Sequence, residues 1–322
     1  MSLAGRPRRV AVLGATGCVG RHVCAAFAER GADVVAIARR PAPHIGPYPF
    51  RSLDAGRLTG GELAAVLAES RVDTVVNAML GWGRSAREMD DANVRPVERL
   101  LAALRALPDP VRYVHLGTIH EYGPIPYGTA VDETAEPRPT SLYARSKLTA
   151  SRLVLDAAAR GELDAVVLRL TNTLGPYTAP ESFFGALAAR LRRAAAAPGE
   201  VTDVAVAAAH RDFVDVRDAA AAVYAAAAGA APERLLNIGR GEAVAVETLV
   251  RTLVEVSGLP PDAVRIRHAE VRSRSAGADW IQVDPSRARQ SLGWRPGHLL
   301  TDALRAVWRT VEPAPPVPLS PR

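Results

Sequence analysis

The chain has 322 residues, 48% of them hydrophobic, with a formal net charge of +6 and two cysteines, Cys18 and Cys24, so it can bury a sizeable core without disulfide or metal staples. Its excess arginine is scattered through an alanine-rich sequence rather than gathered with aromatics in one run, so no nucleic-acid partner is expected. No run of about eighteen apolar residues and no apolar leader occurs, so the expectation is a cytoplasmic protein with free thiols and no membrane span.

From Arg9 to Arg169, β-branched runs alternate with alanine-rich stretches: VAVLG, ADVVAIA, DTVVNAM, VRYVHLG and DAVVLRL. Runs that are apolar throughout suit strands buried on both faces of a parallel sheet. Between them the pattern predicts helices over about 17–30, 60–70, 89–107 and 141–160. Beyond Asn172 come a turn at Gly175-Pro176, a helix over about 182–197, strand fragments near Val204, Phe213 and Leu236, and helices over about 246–257 and 299–309. The fold class implied is α/β: a Rossmann-type doubly wound parallel sheet in residues 1–172, a smaller C-terminal α/β substrate-binding lobe in 173–312 that returns strands to the sheet, and a proline-rich tail over 313–322.

The first strand runs into GATGCVG, which puts Gly14, Gly17 and Gly20 at a strand-to-helix turn. Without side chains there, the backbone of Thr16, Cys18 and Val19 can approach a pyrophosphate at the helix N-terminus. At the end of the second strand, where a carboxylate would bind the ribose of NAD, stand Arg39 and Arg40. Guanidinium groups pair with a 2′-phosphate, which points to NADP(H). Asp54 is a candidate for the adenine amino group, and Ala78, Met79 and Leu80, at the end of the third run, are candidate cofactor contacts. The following segment, LGWGRSAR, reads as a pocket loop that moves on binding; its Trp82 either covers a substrate or anchors the loop.

In SLYARSK, Tyr143 and Lys147 lie one helical turn apart on the same face. A phenol titrating near its ordinary value of about 10 is a poor acid at neutral pH, and an adjacent ammonium is expected to lower it. Alone the spacing is common and mostly structural. It gains meaning one crossover after VRYVHLG, whose end carries Thr118, a hydroxyl able to meet the same substrate oxygen. Asn77 and Asn93 suit structural bonds to backbone groups. No zinc-type spacing of His and Cys occurs, so no metal is expected.

Taken together, GATGCVG, the NV at Asn93, GTIHEYG from Gly117, YARSK, RLTNTLGP from Arg169, RDFVDV from Arg211, NIGRGEAV from Asn237 and SLGWRP from Ser291 resemble the extended short-chain dehydrogenase/reductase family, in particular its nucleotide-sugar branch. The resemblance spans nearly the whole chain. It implies hydride transfer at a nicotinamide ring, a catalytic Tyr143, a Lys147 that also holds the nicotinamide ribose, a Thr118 bonded to the reacting oxygen, and a structural Asn93 supporting a proton relay. It further implies that Asn172 and Arg211 approach a substrate diphosphate with Asn237 nearby, and that the helices over 89–107 and 141–160 form a homodimer interface.

Dehydratases of that branch carry an Asp–Glu pair directly after the threonine, where this chain has Ile119 and His120; isoleucine transfers no proton, so elimination is not expected. His120 either lines the pocket or packs against it. The loop GTIHEYGPIPYGT resembles sugar C-4 ketoreductases, and with Arg39 and Arg40 this implies NADPH-dependent reduction of a dTDP-linked 4-keto-6-deoxyhexose. The alternatives are a nucleotide-sugar 4-epimerase, a reductase or epimerase for a substrate lacking a nucleotide, and a non-catalytic NADP(H)-binding protein.

Overall fold

The computed structural model describes residues 7–196, 201–229, 233–268 and 279–311, so the tail expected over 313–322 lies outside the described residues. In chain order the first part runs β1 (Arg9–Leu13), α1 (Cys18–Ala28), β2 (Asp33–Ala38), β3 (Phe50–Ser52), α2 (Gly60–Glu69), β4 (Thr74–Asn77), α3 (Ala86–Asn93), α4 (Arg95–Arg105), β5 (Arg112–Thr118), α5 (Leu142–Ala159) and β6 (Asp164–Leu170). The second comprises β7 (Asn172–Leu174), α6 (Phe183–Ala196), β8 (Thr202–Val206), β9 (His210–Asp215), α7 (Val216–Ala228), β10 (Leu235–Ile238), β11 (Ala243–Ala245), α8 (Val246–Ser257), β12 (Val264–His268), β13 (Trp280–Ile281), α9 (Ser286–Leu292) and α10 (Leu300–Thr310).

Seven strands form one parallel sheet in the order β10-β6-β5-β4-β1-β2-β3. The expected Rossmann-type architecture is what the chain adopts. Every residue of β4 and β5 is buried, as continuous apolar runs require when helices cover both faces. One face packs on α1 and α7 through residues such as Val23, Phe27, Val223 and Ala226; the other packs on α2, α4 and α5 through Leu63, Leu100, Leu104 and Val154. The strand order reverses between β1 and β4, which opens a crevice past their carboxyl ends.

Backbone contact at that crevice explains its glycines. Gly14 has φ of +81°, and a Cβ there would lie 2.7 Å from the Ala78 carbonyl oxygen; a Cβ on Gly20 would lie 2.1 Å from the carbonyl oxygen of Gly14. The turn after β1 is thus pressed between α1 and the end of β4.

Two local expectations are corrected. The helix expected over 89–107 is two helices, because Val94 ends α3 and Pro96, lacking an N–H, sits in the first turn of α4. The segment after Phe213 contains an unforeseen helix, α7, capped by the Asp215 carboxylate on the Arg217 N–H and packed by its alanine face on α1.

The remaining chain forms a sheet of β11, β9 and β13 with β7 on β9, and a β8–β12 pair. These pack with α6, α8 and α10 around Leu187, Leu191, Phe213, Leu253 and Leu304. Among the described residues no helix is long and apolar enough to cross a membrane.

Because the Gly20 contact is backbone on backbone, Gly20→Ala should cost about 1–3 kcal/mol of stability. Urea unfolding should show a lower midpoint at unchanged m value; an unmoved midpoint would mean that α1 can shift away from the turn.

Candidate active site

The carboxyl end of β5 delivers Thr118 into a cavity of about 680 Å³ whose lining includes Leu80, Trp82, His120, Tyr143, Asn172 and Arg211. Thr118 is both the last residue of the strand and the N-cap of a 3-10 turn over Ile119–Tyr122. Its side chain is hydrogen-bonded to Tyr143, a half-buried residue in the first turn of α5. Lys147, one turn later and 4% exposed, donates from Nζ to the Leu116 carbonyl at 2.6 Å. Threonine and tyrosine thus meet in the cavity lining, while Lys147 lies one turn along α5, turned to the Leu116 carbonyl.

The electrostatics differ from expectation. Burial dominates at Tyr143 and raises its pKa above the ordinary value, outweighing the lowering by the Thr118 bond, while nearby Glu121 adds to the rise. Burial also lowers Lys147 to about 8, against the opposing pull of Glu121. The acidified phenol expected from the four-residue spacing is not what this arrangement produces, because the ammonium is turned to the Leu116 carbonyl. Tyr143 is a protonated hydroxyl at neutral pH, which makes it a proton donor.

Trp82 stacks on Tyr143 with ring centroids 4.6 Å apart and an interplanar angle of 28°. Its loop is tied down: Asn93 accepts from the Gly81 N–H and donates to the Gly81 carbonyl, both at 3.1 Å. A Cβ on Gly81 would meet Ala92 at 2.4 Å and one on Gly83 would meet Glu88 at 2.5 Å. The expected loop position is occupied, and Asn93 and the glycines hold it in place. Asn93 also donates to Ser146 Oγ at 3.3 Å, beside Lys147 rather than to it.

His120 lines the cavity, where burial and the neighbouring Arg211 cation push its pKa down to about 4, so the imidazole is neutral. Ile119 points the other way, into a cluster with Tyr122, Ile281 and Val283. Asn172 donates to the Asp212 carbonyl at 3.3 Å from the cavity wall. Asn237 is placed differently from the other expected substrate contacts. It is fully buried; its amide accepts from Tyr122 Oη at 2.9 Å and donates to the Val131 carbonyl at 3.2 Å, and it is not part of the cavity lining.

Past β1, β2 and β4 lie the expected cofactor residues. Gly17 caps α1 with no side-chain bond to its first turn, leaving that turn's N–H groups suited to a pyrophosphate. Arg39 and Arg40 are exposed just beyond β2. Asp54 accepts the Gly56 N–H at 3.0 Å. The Ala78 N–H bonds to Leu13 and the Met79 N–H to Asn77, so Asn77 serves the backbone, and Leu80 turns out into the cavity. Backbone crowding that forbids Cβ atoms at Gly14 and Gly20, together with the uncapped α1, fits a dinucleotide.

The sequence matches the NAD dependent epimerase/dehydratase family over residues 10–239. The chain belongs to that family. It is 39% identical over 312 residues to a dTDP-6-deoxy-L-talose 4-dehydrogenase (NAD(P)(+)) of Kitasatospora kifunensis, covering 96% of this chain and 97% of the relative. It is 29% identical to a UDP-glucose 4-epimerase of Azospirillum brasilense, covering 92% and 89%. Among solved structures it resembles a UDP-glucose-4-epimerase of Stenotrophomonas maltophila with bound NAD and formylated UDP-arabinopyranose, at a TM-score of 0.81 and 25% identity over 94% of this chain and 97% of that one.

Family membership makes the chain an epimerase/dehydratase-type enzyme that works with a nicotinamide cofactor. Sequence reasoning missed part of the site. The Phe183–Phe184 doublet opens α6 on the cavity, with Phe184 edge-on to Phe213 at 5.5 Å. Glu121 and Arg169 form a fully buried pair under the threonine turn, with Arg169 Nε 2.8 Å from Glu121 Oε2. An aromatic doublet following Gly-Pro was the readable sign of the first; the second lay inside two motifs quoted for other residues.

Two outcomes follow at the bench. Tyr143→Phe should lose about 10²–10⁴-fold in turnover with cofactor affinity intact by fluorescence titration; wild-type turnover would remove Tyr143 as the acid. Lys147 is an ammonium below about 8 and a neutral amine above it, so kcat/KM should fall as pH rises through that value. A profile that keeps climbing there would mean that the ammonium is dispensable.

Proposed function

We propose that the enzyme reduces the C-4 ketone of a dTDP-linked 4-keto-6-deoxyhexose with NADPH. The observation that carries this reading is the Tyr143 hydroxyl hydrogen-bonded to Thr118 in the lining of the cavity. Full-length likeness to a dTDP-6-deoxy-L-talose 4-dehydrogenase supports the substrate class, since oxidation and reduction at C-4 are one reaction run in opposite directions.

When bound, the reduced nicotinamide supplies the hydride. Tyr143 gives its hydroxyl proton to the C-4 oxygen, and the Thr118 hydroxyl hydrogen-bonds that oxygen while negative charge develops on it. The Lys147 ammonium balances the negative charge of the phenolate as it forms, and would hold the nicotinamide ribose. Trp82, packed on Tyr143, walls the reacting centre against water. Neutral His120 offers a hydrogen bond to a sugar hydroxyl, and Asn172 and Arg211 receive the diphosphate, for which a guanidinium is well shaped. Neither Ile119 nor neutral His120 provides the acid–base carboxylates of an elimination.

Arg39 and Arg40 would hold the 2′-phosphate of NADPH, and the glycine loop its pyrophosphate. A 4-epimerase is the second reading, favoured by the epimerase relatives. It differs in leaving the cofactor's redox state unchanged over a full turnover. The helices over 89–107, now α3 and α4, together with α5 are the proposed homodimer interface.

The deciding assay incubates the enzyme with dTDP-4-keto-6-deoxyglucose and NADPH. Cofactor oxidation matched mole for mole by a dTDP-sugar alcohol supports reduction, whereas an isomerised sugar with no net oxidation replaces it with epimerisation. Arg39→Ala should weaken NADPH about tenfold or more, the loss of a charge-assisted bond of about 1.5–3 kcal/mol, and leave NADH unaffected; equal weakening of both would place the 2′-phosphate elsewhere.

A further inference from the structure

Beneath the Thr118 turn lies a carboxylate to which the proposed chemistry assigns no role. Glu121 is 0% exposed. Its Oε1 accepts the Thr118 N–H and the Ser151 hydroxyl, each at 2.9 Å, and its Oε2 accepts Arg169 Nε at 2.8 Å. The space it fills is the one Gly117 leaves: a Cβ on Gly117 would lie 2.6 Å from Glu121 Oε1 and 3.1 Å from Ser151 Oγ. Gly117 stands opposite Arg169 in the β5–β6 register, so the glycine, the glutamate and the arginine form one fitted unit.

Stability alone is a poor reason for this unit. Burying two ions costs roughly what their attraction returns, and apolar residues of similar size often do as well. What the pair provides is position. A bond to the backbone N–H of Thr118 fixes the strand end from which the threonine hydroxyl reaches Tyr143. On its far side Arg169 lies over the Tyr122 ring, 4.3 Å from its centroid. Tyr122 in turn donates to Asn237, whose N–H bonds to Glu133 at 2.7 Å.

We propose that Glu121 is a positioning residue, clamped by Arg169, that aligns the Thr118 hydroxyl with Tyr143. This rests on the reading of Thr118, Tyr143 and Lys147 as the reacting groups. The groups that act on Lys147 are Glu121 from the turn and His115 and the Leu116 carbonyl from β5; Arg169 on β6 bonds to Glu121. His115 is fully buried and held neutral by burial and by the Lys147 cation. Among them the Glu121 carboxylate favours the ammonium.

Removing the carboxylate alone strands Arg169 and endangers folding, so the test uses two double variants. Glu121→Leu/Arg169→Met replaces the pair by apolar groups. Glu121→Gln/Arg169→Met keeps an acceptor for the Thr118 N–H but no charge. The first should lower kcat about 10²-fold, the scale of a small misplacement of a reacting group, with KM, cofactor affinity and thermal midpoint near wild type. The second should recover much of that kcat, yet keep the alkaline limb of the kcat/KM profile at lower pH than wild type, because the amine loses its proton sooner.

Wild-type kcat and an unmoved alkaline limb in either folded variant would overturn the proposal. So would a parallel loss of kcat, KM and thermal midpoint in the glutamine variant, which would make the pair merely structural. Failure of the underlying assignment is seen separately, as retained turnover in Tyr143→Phe.

Discussion

A parallel sheet covered by helices on both faces leaves its strands no free face for chemistry, and the rest of this structure follows from that constraint. Each strand side chain in β4 and β5 is enclosed, so reactive groups stand at the carboxyl ends or on the turns just beyond. Thr118, the glycine loop, Arg39 and the Ala78–Leu80 segment all leave the sheet on that one edge. Because the order reverses between β1 and β4, these segments diverge around a crevice instead of closing over it.

The site built there is poor in exposed charge. Tyr143, Lys147 and His120 are all shifted by burial toward their uncharged forms, and Trp82 and the phenylalanines of α6 narrow the approach. In such surroundings a hydrogen bond or a single ion has more effect than in water. The buried carboxylates have partners already in place: Glu121 is bonded to Arg169, and Asp212 accepts the N–H groups of Arg240 and Gly241.

Much of the fold could be read because its strands are continuous apolar runs and most of its helices carry caps or strong periodic contrast. Where contrast vanished, so did legibility. The run of alanines in α7 has almost no change in side-chain size to mark a period, and the lobe strands β11 and β13 are only three and two residues long. At the site, Tyr143 and Lys147 were visible as a spacing, but their protonation depends on burial, which no spacing records. Asn237 carried a motif yet spends its amide on Tyr122 and Val131. Glu121 was invisible because its partner Arg169 lies 48 positions away on a neighbouring strand.

The last strand of the large sheet, β10, pairs with β6 only after the chain has passed through β7, α6, β8, β9 and α7. During synthesis β6 thus emerges well before its outer neighbour and waits as an open parallel edge, a template for mispairing between nascent chains. A truncation before Leu235 would make that waiting state permanent. The alanine-rich α7, arriving just ahead of β10, joins α1 on one face of the unfinished sheet through Val223 and Ala226.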